Sequence, residues 1–269
     1  MPQTLATPTP IAKPTVLASL AARLEQGDEI LSAWCGIADP VISGMLAQEA
    51  FDAVTLDMQH GPITLGEVIR AIPMINAAGK PALARTPVGE FQNVSKLFDS
   101  GVSGVIAPMI NTMADARAFA ASAKYPPMGE RSWGSYGGLS ASGLDQNSYL
   151  LQANGFSMTF AMIETREAMA ILDDILALPG IDAVFVGPSD LSIALSGGKR
   201  VDATAPEVDD AIGHIVARAS AVNKPVAVYA QSPERARDFY RLGAKMVALM
   251  SDTVMLRSGA QAAIRSVRG

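Results

Sequence analysis

Eight apolar runs of strand length alternate with eight amphipathic stretches along this chain, and few architectures accommodate that order. The runs cover residues 30–37, 51–56, 81–84, 104–110, 158–163, 183–186, 225–229 and 246–250. Each is apolar on both faces, as expected of parallel strands covered by helices. Residues 40–50, 64–78, 90–100, 114–124, 166–178, 205–222, 233–242 and 253–267 carry helical spacing between and after them. Two of these stretches run directly into Pro and the next apolar run, at Gly79-Lys80-Pro81 and Asn223-Lys224-Pro225. Parallel strands joined through a helix cross over right-handedly, and eight such units in about 250 residues predict a (β/α)8 TIM barrel. An open doubly wound sheet is the alternative, but no Gly-x-Gly-x-x-Gly follows any run. A further helix is expected over 16–26, closed by Gly27.

Residues 1–14 read as a proline-rich flexible tail and 15–269 as a single barrel domain. The chain is 49% hydrophobic and 17% charged, which supplies an ample core and argues against disorder over most of its length. Its formal net charge of −5 opposes a nucleic-acid partner, which needs a basic stripe. The first ten residues lack a basic segment followed by an apolar one, so no secretory signal is expected. No apolar run reaches the roughly 18 residues of a membrane helix. Cys35 is the only cysteine, excluding an intramolecular disulfide and a thiolate metal cage, and a cytoplasmic location follows as the expectation. One segment, 125–156, breaks the rhythm with a glycine-rich loop and a short helix expected near 146–153. Loops of that length are often lids or binding loops, the alternative being a packed surface excursion.

In such a barrel the active site lies at the C-terminal ends of the strands. The second run ends in Asp57, Gln59 and His60, the third in Arg85, the fifth in Glu164 and the sixth in Gly187-Pro188-Ser189-Asp190. Glu164 and Asp190 leave adjacent strands, where unpaired carboxylates would repel. A hard divalent cation (magnesium, manganese or cobalt) relieves that repulsion, and two protein ligands leave room for a chelating 2-oxo acid. Each acid could instead cap the helix after it. The Gly187 turn presents backbone N–H groups to an anion. Arg85 can face a carboxylate or an enolate oxygen, or else pair structurally with Asp57. His60 suits proton transfer near neutrality, held by Asp57, unless the His-Gly-Pro turn merely ends a strand. Together these parts describe an aldolase. Schiff-base chemistry needs a lysine at the mouth. Lys80, Lys224 and Lys245 stand at the opposite ends of strands, and Lys13, Lys96, Lys124 and Lys199 fall in the tail, a helix or loops. His214 and Cys35 read as packing or surface residues.

The segments Leu56-Asp57-Met58-Gln59-His60-Gly61-Pro62, Ala84-Arg85-Thr86-Pro87, Ile163-Glu164-Thr165-Arg166-Glu167-Ala168 and Val186-Gly187-Pro188-Ser189-Asp190-Leu191-Ser192 resemble the signatures of the metal-dependent (class II) pyruvate aldolases. That family is typified by 4-hydroxy-2-oxoheptanedioate aldolase and is related to the citrate-lyase beta subunit; the likeness runs from Trp34 to Val267. The resemblance implies a barrel of the phosphoenolpyruvate/pyruvate type, a metal on Glu164 and Asp190, a base at His60 supported by Asp57, and Arg85 beside the pyruvyl oxygen. It implies that Gly187, Pro188, Ser189 and Asp190 bind the pyruvate carboxylate through backbone, and that Trp34 lies on the aldehyde side. It further implies that Asp99 reaches a neighbouring subunit's site and that the chain forms a homohexamer, a trimer of dimers exchanging the helix 253–267. The chain departs from the family's pattern at Gln59, where relatives commonly carry Glu, and at Met162, where they often carry Gln. Its loop Ser132–Gly138 also differs, and is expected to choose the aldehyde. The function expected is cleavage or formation of 4-hydroxy-2-oxo acids. A lyase acting on a coenzyme A thioester and a non-catalytic oligomeric scaffold are the alternatives.

Overall fold

The computed structural model describes residues 15–269, so the expected tail 1–14 lies outside the described residues. The strands are β1 (Ile30–Cys35), β2 (Ala53–Asp57), β3 (Ala82–Arg85), β4 (Gly104–Ala107), β5 (Met158–Met162), β6 (Ala183–Val186), β7 (Val226–Ala230) and β8 (Met246–Ser251). They pair in parallel and in chain order, and β8 closes on β1, giving the expected barrel. The first helices are α1 (Val16–Glu25), α2 (Pro40–Gln48), α3 (Leu65–Ala77), α4 (Gln92–Ser100), α5 (Met113–Ala123), α6 (Gly137–Ser142) and α7 (Gln146–Phe156). They continue as α8 (Arg166–Ala170), α9 (Leu172–Ala177), α10 (Pro188–Leu195), α11 (Pro206–Ser220), α12 (Pro233–Leu242) and α13 (Asp252–Arg268).

Alternation along each strand divides the core in two. Leu83, Ile106, Phe160, Phe185 and Ala227 point inward and pack with Trp34 and Met162. Their neighbours Val54, Ala84, Val105, Ala161 and Val184 face the helices. Leu20 and Leu24 of α1 join the inner cluster and plug the N-terminal mouth, each burial contributing about 1.5–3 kcal/mol. The same period carries Asp57, Arg85, Glu164 and Gly187 onto the inward face, each two residues beyond an inward one in its strand. Register then makes Asp57 and Arg85 direct partners across β2 and β3.

Two segments differ from expectation. The helix expected over 166–178 breaks at Ile171 into α8 and α9, and α10 follows β6 at once, started by Pro188 at its first position. Segment 125–156 folds into α6 and α7, and Tyr125, Tyr149 and Phe156 pack against Leu17 of α1. Because it leads from α5 into the start of β5, it lies at the N-terminal face. Within one chain, therefore, the loop Ser132–Gly138 cannot cover the C-terminal mouth, and the packed excursion describes its role there.

Lys124 anchors this excursion. Fully buried, its Nζ donates to Asn154 O at 2.8 Å, Ser157 O at 2.7 Å and Asp182 Oδ2 at 2.7 Å. Burial pushes its pKa down and Asp182 opposes that. Lys124→Met is expected to strand these acceptors and cost about 3 kcal/mol, read as a lower urea midpoint.

Candidate active site

A cavity of about 450 Å³ opens where the strands end, with Trp34, Asp57, His60, Arg85, Asp190 and Tyr229 among its lining residues. Arg85 organises one wall. Its Nε donates to Asp57 Oδ1 at 2.8 Å and its Nη2 to Asp57 Oδ2 at 2.7 Å, a bidentate pair with the arginine 7% and the aspartate 4% exposed. The guanidinium carbon lies 4.8 Å from the Trp34 ring centroid, and Trp34 Nε1 donates to Asp57 Oδ2 at 3.3 Å. Trp34 packs in turn on Phe185 and edge-on to Tyr229. Burial alone would push the Asp57 carboxyl up, but the hydrogen bonds and charge of Arg85 hold it below the usual range. The expected support of His60 by Asp57 is corrected in form. Register gives both Asp57 oxygens to Arg85, Gln59 N–H also donates to Oδ1 at 3.0 Å, and His60 is reached through charge alone.

The opposite wall is acidic. Glu164 is 1% exposed; its Oε1 accepts from Met109 N at 2.9 Å, and its Oε2 has no partner. Met109 holds that N–H in place with a left-handed φ of 54°, an uncommon conformation for a side chain of its size. Burial, reinforced by the negative charge of Asp190 and opposed by the Met109 N–H, pushes the Glu164 carboxyl up to about 7. Gly187 separates Glu164 from the cavity. A Cβ there would fall 2.5 Å from Glu164 Oε2 and 3.2 Å from Met162 Cε, so the missing side chain makes room for the carboxylate at the wall. A buried carboxylate with a free oxygen beside a second acid suits a hard divalent cation. Among the described residues no group of three or more His, Cys, Asp or Glu forms a closed metal cage.

At the start of α10, Pro188 has no N–H, and the Ser189 and Asp190 amides are left without helical partners. Both residues line the cavity, and Gln231 Nε2 donates to Ser189 Oγ at 3.1 Å. His60 is exposed on the turn after β2. Asp99 lies elsewhere, near the C-terminal end of α4, where it accepts from the buried Arg131 at 2.7 Å. Within the chain it is a structural ion-pair partner, not a cavity residue. Met162 lines the cavity, while the buried Gln59 Oε1 has no partner. No lysine lines the cavity among the described residues. Cys35 is buried and its thiol pushed up to about 12 by burial, and His214 is exposed on α11.

Strand ends seven and eight also supply the cavity, through Tyr229, Ser251, Asp252 and Thr253. The strand-end rule would have found them, since both runs stop at polar residues. The Met109 backbone donor has no comparable mark in the sequence.

A sequence model described as HpcH/HpaI aldolase/citrate lyase matches residues 31–259. The chain is 37% identical over 243 residues to a hydroxypyruvate/pyruvate aldolase of Rhizorhabdus wittichii, covering 90% of this chain and 96% of that one. It is 32% identical over 249 residues to a 5-keto-4-deoxy-D-glucarate aldolase of Shigella sonnei, covering 91% and 93% respectively. A crystal structure of an HpcH/HpaI aldolase/citrate lyase family protein from Burkholderia cenocepacia superposes with a TM-score of 0.83 at 26% identity, over 94% of this chain and 100% of that one. The family match over most of the barrel, with two aldolases above 30% identity, shows that this chain belongs to the HpcH/HpaI aldolase/citrate lyase family of carbon–carbon lyases.

Proposed function

We propose that the chain is a divalent-metal-dependent aldolase that cleaves or forms 4-hydroxy-2-oxo acids, giving pyruvate or a close 2-oxo acid and an aldehyde. The observation that carries this reading is the free, buried oxygen of Glu164, which feels the charge of Asp190 and lies directly behind Gly187 in the wall of a cavity lined by Asp190, Arg85 and His60. A magnesium, manganese or cobalt ion held by Glu164 and Asp190 would polarise the 2-oxo group and draw off negative charge. The Ser189 and Asp190 amides bind the substrate carboxylate at the start of α10. Arg85, held by Asp57 through Nε and Nη2, presents Nη1 to the enolate oxygen. In cleavage His60 takes the proton of the 4-hydroxyl, the C3–C4 bond breaks, and its electron pair passes into the enolate as the aldehyde carbonyl forms. The enolate then takes a proton at C3 to leave as pyruvate; condensation runs the same steps in reverse, the C3 proton leaving first and His60 returning a proton to the new 4-hydroxyl. The names of the two relatives, a hydroxypyruvate/pyruvate aldolase and a 5-keto-4-deoxy-D-glucarate aldolase, support a 2-oxo acid product.

Incubating the protein with manganese and a 4-hydroxy-2-oxo acid is expected to release pyruvate, and EDTA to stop it. A coenzyme A thioester lyase would need cations at the rim. Arg85 is the sole lysine or arginine side chain lining the cavity among the described residues, and at 7% exposure it is buried in the wall, not at the rim. Saturation by an acyl-CoA with no turnover of the free acid would favour that reading. His60→Asn is expected to slow cleavage roughly 100-fold while pyruvate affinity stays near wild type. Unchanged turnover in that variant would remove His60 from the mechanism.

The same proposal includes a homo-oligomer. Val254, Leu256, Ile264 and Val267 of α13 are exposed, the last three toward one side of the helix, and exposed apolar surface of this kind marks association. Light scattering is expected to give a mass several times the 28.1 kDa of one chain, and a monomer at micromolar concentration would count against it. A cytoplasmic location is part of this reading, and no helix among the described residues is long and apolar enough to cross a membrane.

A further inference from the structure

The last helix is joined to the site by its first residue. Asp252 is the one buried residue of α13, 3% exposed. Its Oδ2 accepts from Gly36 N at 3.0 Å and Ile37 N at 2.8 Å, and its Oδ1 from Thr253 N at 2.7 Å. A carboxylate in the first turn of a helix is favoured by the local dipole, so it meets Thr253 at little cost and still reaches outward. The two outward bonds hold the loop that leaves β1.

That loop in turn supports the turn bearing His60. A Cβ on Gly61 would stand 2.6 Å from Gly36 O and 3.1 Å from Gly36 Cα, so the two backbones touch with no side chain between them. Gly36, His60, Gly61 and Asp252 all line the cavity. A continuous path of contacts therefore runs from the start of α13 through Gly36 to Gly61 and His60. The first link is a pair of hydrogen bonds and the second a backbone approach too close to admit a side chain.

We propose that Asp252 is a positioning residue for proton transfer: by holding the Gly36–Ile37 loop it sets the seat on which the His60 turn rests. It acts through backbone and touches no reacting atom. This deepens the aldolase reading and rests on it for its kinetic consequence, whereas its structural consequence can be read without turnover.

The chain has two histidines, His60 and His214. Histidine labelled with ¹³C at Cε1 thus gives two resonances, and His214, exposed on α11, serves as an internal control. In Asp252→Ala the His60 resonance is expected to shift or broaden while that of His214 stays in place. For turnover, kcat is expected to fall about tenfold or more, because small displacements of a proton-transfer group are costly. KM should change less than about twofold, since the α10 amides are untouched. Asp252→Asn keeps an oxygen for Gly36 and Ile37 and is expected to recover kcat to within about threefold. Asp252→Ser keeps a polar group at the helix start but is too short for the loop; it repeats the test should the alanine chain fail to fold. Gly61→Ala drives its Cβ into Gly36 from the other side. Combined with Asp252→Ala it is expected to act less than additively, as neighbours in one contact do.

An unmoved His60 resonance in folded Asp252→Ala or Asp252→Ser would overturn the proposal. So would a kcat loss that Asp252→Asn does not recover. If the resonance moves while the wild-type protein shows no aldolase turnover, the aldolase reading fails and the positioning contact stands.

Discussion

Glu164→Gln is expected to lower kcat for cleavage of a 4-hydroxy-2-oxo acid roughly 1,000- to 10,000-fold, measured as pyruvate release at saturating manganese. Glutamine has nearly the same shape, and its carbonyl can still accept from Met109 N–H. The change therefore removes charge while leaving the packing alone. Stability should move the other way in metal-free protein. Burial raises the Glu164 carboxyl from 4.5 to about 7. A raised pKa means that the folded state binds more protons than the unfolded chain between those values, so stability is lost as pH rises through that window. The loss amounts to about 3 kcal/mol once the group is fully charged. Glutamine has no such titration. In EDTA at pH 8 the variant is expected to melt above wild type, and added manganese to stabilise wild type alone. A residue that improves stability when neutralised yet abolishes turnover is kept for chemistry. Full activity in Glu164→Gln would sink the metal mechanism, and a pH-independent melting curve for wild type in EDTA would sink the account of its burial.

The parts of this molecule that could be read from the chain are those encoded within a few residues. Apolar runs and helical spacing are local patterns, so the barrel and its seven crossovers follow from them directly. Polar residues stopping those runs marked Asp57, Arg85, Glu164 and Asp190 for the same reason. What could not be read locally was who pairs with whom. Asp57 has His60 three residues away in the chain and Arg85 twenty-eight away, and strand register chose Arg85. Register depends on how two whole strands settle against each other, a property neither carries alone. The excursion over 125–156 illustrates a different gap. Its length left a lid or binding loop and a packed excursion both open, and its place between a helix and the next strand assigns it to the N-terminal face, a consequence of topology and not of composition. Asp252 was hidden because a helix-opening aspartate looks the same whether it serves its own helix or reaches across to Gly36.

Arg85→Ala separates structure from catalysis at the other wall, because Arg85 both holds Asp57 and faces the substrate. The single variant leaves Asp57 buried at 4% exposure, with only Trp34 Nε1 and the Gln59 amide as partners. Breaking a buried pair in this way is expected to cost about 3–5 kcal/mol at neutral pH. Turnover should fall roughly 100- to 1,000-fold through loss of charge stabilisation. Asp57→Ala combined with Arg85→Ala removes the stranded charge, so it should recover most of the stability and none of the turnover. The dependence on pH gives a second, independent reading. In wild type Arg85 holds the Asp57 carboxyl below 3.8, so the pair's contribution is complete above that value and is lost as pH falls through the depressed one. Without Arg85 the burial of Asp57 is no longer offset, and its carboxyl rises above 3.8 instead. The sign then reverses at this site, and Arg85→Ala should gain stability on acidification toward pH 4 beyond the gain that Glu164 gives to both proteins. Denaturant midpoints measured from about pH 7 to pH 4 should therefore converge for wild type and Arg85→Ala, and the double variant, with no pair to titrate, should keep the wild-type slope. Parallel curves would mean that Arg85 does not govern the charge of Asp57. Recovered turnover in the double variant would mean that it does not serve the reaction.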